Sequence, residues 1–76
     1  MSLAENLRRL RIQRYLSQSD LAKLANVSKQ TVMRTEQGQY TPYPRTILAL
    51  AAALDVPPTE LIAPEELLGR KGKAAA

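Results

Sequence analysis

Gln18-Ser19-Asp20-Leu21-Ala22-Lys23-Leu24-Ala25-Asn26-Val27-Ser28-Lys29-Gln30-Thr31-Val32-Met33-Arg34 is the stretch that decides the fold of this chain. Ser17 and Ser28 each stand one residue before a run with helical spacing, where a hydroxyl can accept from the unpaired N–H groups of a first turn. Between the two runs lies Asn26. Asparagine tolerates positive φ better than any residue but glycine, so it can end the first helix in the left-handed conformation. Leu21, Ala22, Ala25, Val27 and Val32 then face a common core, and Ala22 is small enough for the helices to approach closely. The reading is a helix-turn-helix, a motif whose use is to set its second helix into a DNA major groove.

Working outward, the spacing predicts five helices. Leu3, Leu7 and Leu10 recur at helical intervals among Arg8, Arg9, Arg11 and Arg14, which gives a first helix from about Ser2 to Tyr15. Helices over 18–25 and 28–37 follow, with Gly38 as the stop for the latter. Pro42 and Pro44 keep Gln39-Tyr40-Thr41-Pro42-Tyr43 as a loop, and Pro44 suits the first turn of a fourth helix ending near Leu54. Pro57-Pro58 opens a short helix through Ile62, and a further turn is expected from Pro64 to Leu68. The expected core is Leu21, Ala25, Val32, Ile47, Leu50, Leu54 and Leu61, wrapped by the first helix.

These residues resemble the Cro and phage-repressor type of helix-turn-helix proteins, the XRE-type family. The resemblance rests on Leu16-Ser17-Gln18, Leu21-Ala22, Asn26, Val27-Ser28, Val32 and Glu36-Gln37-Gly38 at the family's offsets. It continues through Pro42, Ile47, Leu50-Ala51, Leu54, Val56 and Glu60-Leu61-Ile62, so it spans about residues 3–63. It implies an all-α, compact five-helix, lambda-repressor-like DNA-binding domain over residues 1–68. Residues 69–76 are left as a flexible basic tail.

With Ser28 as cap, the second helix of the motif offers Lys29, Gln30, Thr31, Met33 and Arg34 to bases. Arg and Lys match the two acceptors of guanine, and Gln can bridge the donor and acceptor of adenine. The resemblance places the principal base contacts at Lys29, Gln30 and Arg34, with Thr31 beside them. Met33 either meets a thymine methyl or makes no contact. Phosphate contacts are expected at Gln18, at a helix start that favours anions, and at Ser28, and the resemblance implies further ones at Gln39, Tyr40 and Thr41 in the following loop. Tyr43 and Arg45 are secondary candidates that could equally pack across the surface. The resemblance also implies a structural ion pair between Arg11 and Glu36, tying the first helix to the end of the third.

Charge follows the same division. Residues 1–46 hold eight Lys or Arg against three acids, residues 47–69 hold four acids and no base, and the last seven residues add three bases. The basic part is the part carrying the motif, the footprint expected of a phosphate-binding face. Other classes are poorly served. With no histidine or cysteine, adjacent Glu65-Glu66 and isolated glycines, the chain offers no catalytic constellation, metal site or phosphate loop, so no enzyme and no cofactor is expected. No apolar run reaches bilayer length and the N-terminus lacks a signal h-region, so the expected location is the cytoplasm, with no membrane partner.

Three departures from the family pattern stand out. Thr35 replaces the usual large apolar side chain, Tyr43 replaces a capping Ser or Asp, and Ile47 to Leu54 is apolar throughout. An all-round apolar helix normally has neighbours on more than one side. That suggests a homodimer surface at Leu48 and Ala52, extended by Leu67 and Leu68, although alanines also simply favour helix. The expected function is a sequence-specific double-stranded DNA-binding transcriptional regulator, a repressor acting as a homodimer on a two-fold operator. The alternatives are an antitoxin with a small protein partner, or an adaptor that binds protein through the fourth helix.

Overall fold

The computed structural model describes residues 2–67. The expected tail, 69–76, and Leu68 of the expected apolar patch lie outside the described residues. The elements are α1 (Leu3–Gln13), α2 (Gln18–Ala25), α3 (Lys29–Glu36), α4 (Pro44–Ala53), a 3-10 helix (Pro58–Glu60), and a final helical turn over 64–67. No strand occurs among the described residues.

Each of the first three helices starts on a serine. Ser2 Oγ accepts from Glu5 N–H at 3.2 Å while Ser2 N–H donates to Glu5 Oε1 at 3.0 Å, a reciprocal capping box. Ser17 and Asp20 repeat it at 2.9 and 3.0 Å. These bonds hold the Glu5 and Asp20 carboxyls below their ordinary values, through the backbone N–H first and the serine hydroxyl second. α3 differs: Ser28 Oγ accepts from Thr31 N–H at 3.1 Å, but no acid stands in the first turn. The positive end of the α3 dipole is therefore left without a carboxylate of its own.

The helix ends share a second device. Tyr15, Asn26, Gly38 and Asp55 take φ of 56, 58, 76 and 58°. In each case the next residue's N–H reaches back five positions: Leu16 to Arg11, Val27 to Ala22, Gln39 to Arg34 and Val56 to Ala51, at 3.0–3.2 Å. These are Schellman ends. Leu16, Val27 and Val56 press on the core after their turns, whereas Gln39 is exposed. Only α3 is released outward at its end. The turn at Tyr15 also makes α1 shorter than the periodicity predicts, because a residue at positive φ cannot continue a right-handed helix.

Leu7, Leu10, Leu21, Ala22, Ala25, Val32, Ile47, Leu50, Ala51, Leu54, Leu61 and Ile62 form one core, and each fully buried leucine there contributes ~2 kcal/mol of transfer free energy. All seven residues expected in the core are in it. α2 packs on α3 and α4, and α1 on α3. α3 gives the core only Val32 and Thr35. Thr35 is 1% exposed, and its hydroxyl donates to the Thr31 carbonyl at 2.7 Å, so the buried polar group is satisfied. α4 starts with Pro44 in its first turn and no side-chain cap bond from Tyr43. It buries Ile47, Leu50 and Ala51 and leaves Leu48 45% exposed. The segment Pro57 to Ile62 is a single 3-10 turn rather than a longer helix, with Pro57 outside it. Asn6 Nδ2 donates to the Leu61 carbonyl at 2.9 Å and ties α1 to this segment.

Candidate nucleic-acid interface

Helical rotation sorts the residues of α3. Val32 and Thr35 point inward, Thr31, Met33 and Glu36 lie at the flanks, and Lys29, Gln30, Arg34 and Gln37 are exposed. Gln30, Arg34 and Gln37 stand at i, i+4 and i+7, so they share the outward face. Lys29 opens the helix beside them. Gln37, the last residue of the helix expected from the sequence, is not among the expected contacts but stands on this face, three residues beyond Arg34.

Thr31 is placed differently from the others. Its hydroxyl lies 2.9 Å from Ser28 Oγ, which also accepts the Thr31 N–H. Ser28 is therefore the cap of α3, and the Thr31 hydroxyl, in the first turn, is engaged with that cap. Met33 is half-buried. Ser28, Gln39, Tyr40 and Thr41 lie on the exposed surface before and after α3, with Tyr40 41% exposed. Tyr43 and Arg45 are also exposed, at the start of α4.

Beneath α3 sits the charge pair. Arg11 Nε donates to Glu36 Oε2 at 2.6 Å and Arg11 Nη2 to Glu36 Oε1 at 3.0 Å, a bidentate fork. Arg11 Nη1 donates further to the Leu16 carbonyl at 2.8 Å. The two side chains are 12% and 4% exposed, and the bond to Glu36 raises the Arg11 guanidinium above its already high ordinary value. Gln18, half-buried at the first position of α2, donates from Nε2 to Glu36 Oε1 at 3.2 Å. The structure thus brings Arg11, Gln18 and Glu36 into one network. Glu36 is the one acid between Ser28 and Tyr43. With that charge compensated, Lys29 and Arg34 present their positive charges on a face with no uncompensated acid of the same helix.

Among the described residues no group of three or more His, Cys, Asp or Glu side chains is placed to hold a metal ion. None of the described helices is long and apolar enough to cross a membrane.

Comparison with known proteins agrees with this geometry. A family model described as a helix-turn-helix domain matches residues 2–63. The chain is also similar to the crystal structure of the restriction-modification controller protein C.AhdI from Aeromonas hydrophila. The two are 40% identical with a TM-score of 0.77, over 79% of this chain and 91% of that one. No curated protein sequence matches the chain. With caps, turn, core and exposed α3 in place over the matched residues, the chain belongs to the helix-turn-helix DNA-binding family of the Cro and phage-repressor, or XRE, type.

Proposed function

We propose that this DNA-binding regulator is a sequence-specific transcriptional repressor that binds a two-fold operator as a homodimer. The observation that carries the reading is the exposed row Lys29, Gln30 and Arg34 on a helix with no acid in its first turn. In this reading Lys29 and Arg34 take guanine edges and Gln30 an adenine edge, with Thr31 and Met33 lining the contact. Gln18, Ser28, Gln39, Tyr40 and Thr41 take phosphates. Phosphate contacts fix register, and base contacts carry the sequence information.

One monomer offers few base contacts, and a two-fold pairing doubles them across half-sites ~34 Å apart. The exposed Leu48 and the neighbouring exposed Ala52 on α4 support a dimer surface there, with half-buried Leu67 at its margin. The likeness to C.AhdI supports a narrower version, in which the controlled genes are those of a restriction-modification system. Selection from randomised duplex DNA at near-physiological salt tests the whole reading. It should enrich an inverted repeat. A pool with no enriched motif, and binding that vanishes as salt rises, would leave only a non-specific basic face, and α4 would then be tested as a protein-binding surface.

A further inference from the structure

A carboxylate beneath a DNA-binding face is a liability on charge alone, because it repels phosphates. Glu36 is held there nonetheless, 4% exposed, with both oxygens occupied. Its Oε1 receives Arg11 Nη2 and Gln18 Nε2 together. Gln18 is the first residue of α2 and Glu36 the last of α3, so this amide spans from the opening of one helix to the close of the next. An ionised carboxylate only accepts hydrogen bonds. Turning the Gln18 carbonyl toward it would set acceptor against acceptor, so the amide has one allowed sense. Nε2 faces Glu36 and Oε1 faces away. One Nε2 hydrogen is spent on Glu36, and the other diverges from it in the amide plane.

We infer that Glu36 is a positioning residue for DNA: it sets the sense and rotamer of the Gln18 amide, so that the second N–H meets a backbone phosphate. The inference rests on the DNA-binding reading above and assigns Glu36 a task beyond holding the fold. Arg11 acts one step behind it, since its guanidinium is what allows a carboxylate in that place.

Charge and positioning give opposite signs for Glu36→Gln. On charge alone the variant gains a net positive charge near the duplex and binds DNA more tightly, with a steeper salt dependence. On positioning it binds more weakly, because a glutamine at 36 accepts or donates indifferently and Gln18 loses its fixed sense.

The test uses the full chain and a duplex selected with the wild-type protein. Affinity is read by fluorescence anisotropy over a series of salt concentrations for wild type, Glu36→Gln, Gln18→Ala and the double variant. Circular dichroism on each confirms that it is folded at the assay temperature. Each single change should weaken binding roughly 3- to 10-fold, the range for one hydrogen bond. The double should bind no more weakly than Gln18→Ala alone, and the salt slope should not fall, since no cation is lost. Tighter binding by Glu36→Gln, or losses that multiply in the double, would overturn the inference. If Glu36→Gln does not fold, Gln18→Asn keeps the amide but is too short to reach Glu36. It should bind as weakly as Gln18→Ala, and wild-type affinity in it would overturn the inference equally. If the wild-type chain itself selects no duplex, the failure is that of the DNA-binding reading.

Discussion

Arg11→Met should cost this domain a large part of its stability. The methionine keeps the stem that packs along α1 but removes the guanidinium, which donates twice to Glu36 and once to the Leu16 carbonyl. Glu36 would then keep one donor, Gln18 Nε2 at 3.2 Å, for a carboxylate that is 4% exposed. Breaking a buried pair on one side costs ~3–5 kcal/mol, because the remaining charge stays desolvated. Arg11 itself is 12% exposed, which leaves water some access and favours the low end, near ~3 kcal/mol. A domain of this length has roughly 4–11 kcal/mol in total. At about 4–8 °C per kcal/mol, the melting temperature should fall by roughly 12–24 °C. Thermal and urea unfolding followed by circular dichroism measure this directly. The companion is Arg11→Met with Glu36→Leu, which removes both charges and should recover much of the loss. An unchanged melting temperature in Arg11→Met would refute the reasoning, as would a double variant destabilised by the sum of the two singles.

Two further outcomes concern the helix ends. Tyr15 is 95% exposed at a φ of 56°, so Tyr15→Gly removes left-handed strain and no packing. It should raise stability by ~0.5–1 kcal/mol after the entropy of glycine is subtracted, and a loss in urea unfolding would show that the tyrosine has a partner. Glu5 and Asp20 have carboxyls lowered from ordinary values of 4.5 and 3.8 by their capping boxes. Their contribution is therefore complete above those values and lost as pH falls through the lower folded ones. Melting temperature against pH should drop more steeply in this acid range for wild type than for Glu5→Gln with Asp20→Asn, and parallel curves would contradict the assignment.

The parts of the fold that could be read in the sequence are those governed by short-range rules. Ser17, Ser28, Asn26, Gly38 and Pro44 act within three or four residues of where they stand, so each could be placed from its neighbours. The core followed from helical spacing for the same reason. The left-handed turn at Tyr15 could not be read, because tyrosine does not favour that conformation on its own; aspartate tolerates it, but no neighbour singles out Asp55 as the turn. Both turns are imposed by Leu16 and Val56, which must turn back onto the core. The Asn6 bond to the Leu61 carbonyl joins positions too far apart in sequence for any local pattern to show it. At the candidate interface, the order of exposure along α3 needed the helix placed against its core. Val32 is legible as core from spacing, but the burial of Thr35 is not, and it is Thr35 with Val32 that leaves Thr31 and Met33 at the flanks. The Gln18 bond to Glu36 likewise depends on the packing of α2 against α3.

The central claim is that α3 reads bases through its exposed row, with Arg34 in the middle of it. The most direct measurement compares the sequences selected from random duplex DNA by the wild-type chain and by Arg34→Ala, at one salt concentration and below both melting temperatures. The account predicts an inverted repeat for wild type. For the variant it predicts the same repeat with preference relaxed at one symmetry-related position in each half-site, a change worth ~1–3 kcal/mol there. An unchanged motif in Arg34→Ala, or uniform weakening at every position, would contradict it and move Arg34 from base reader to phosphate contact.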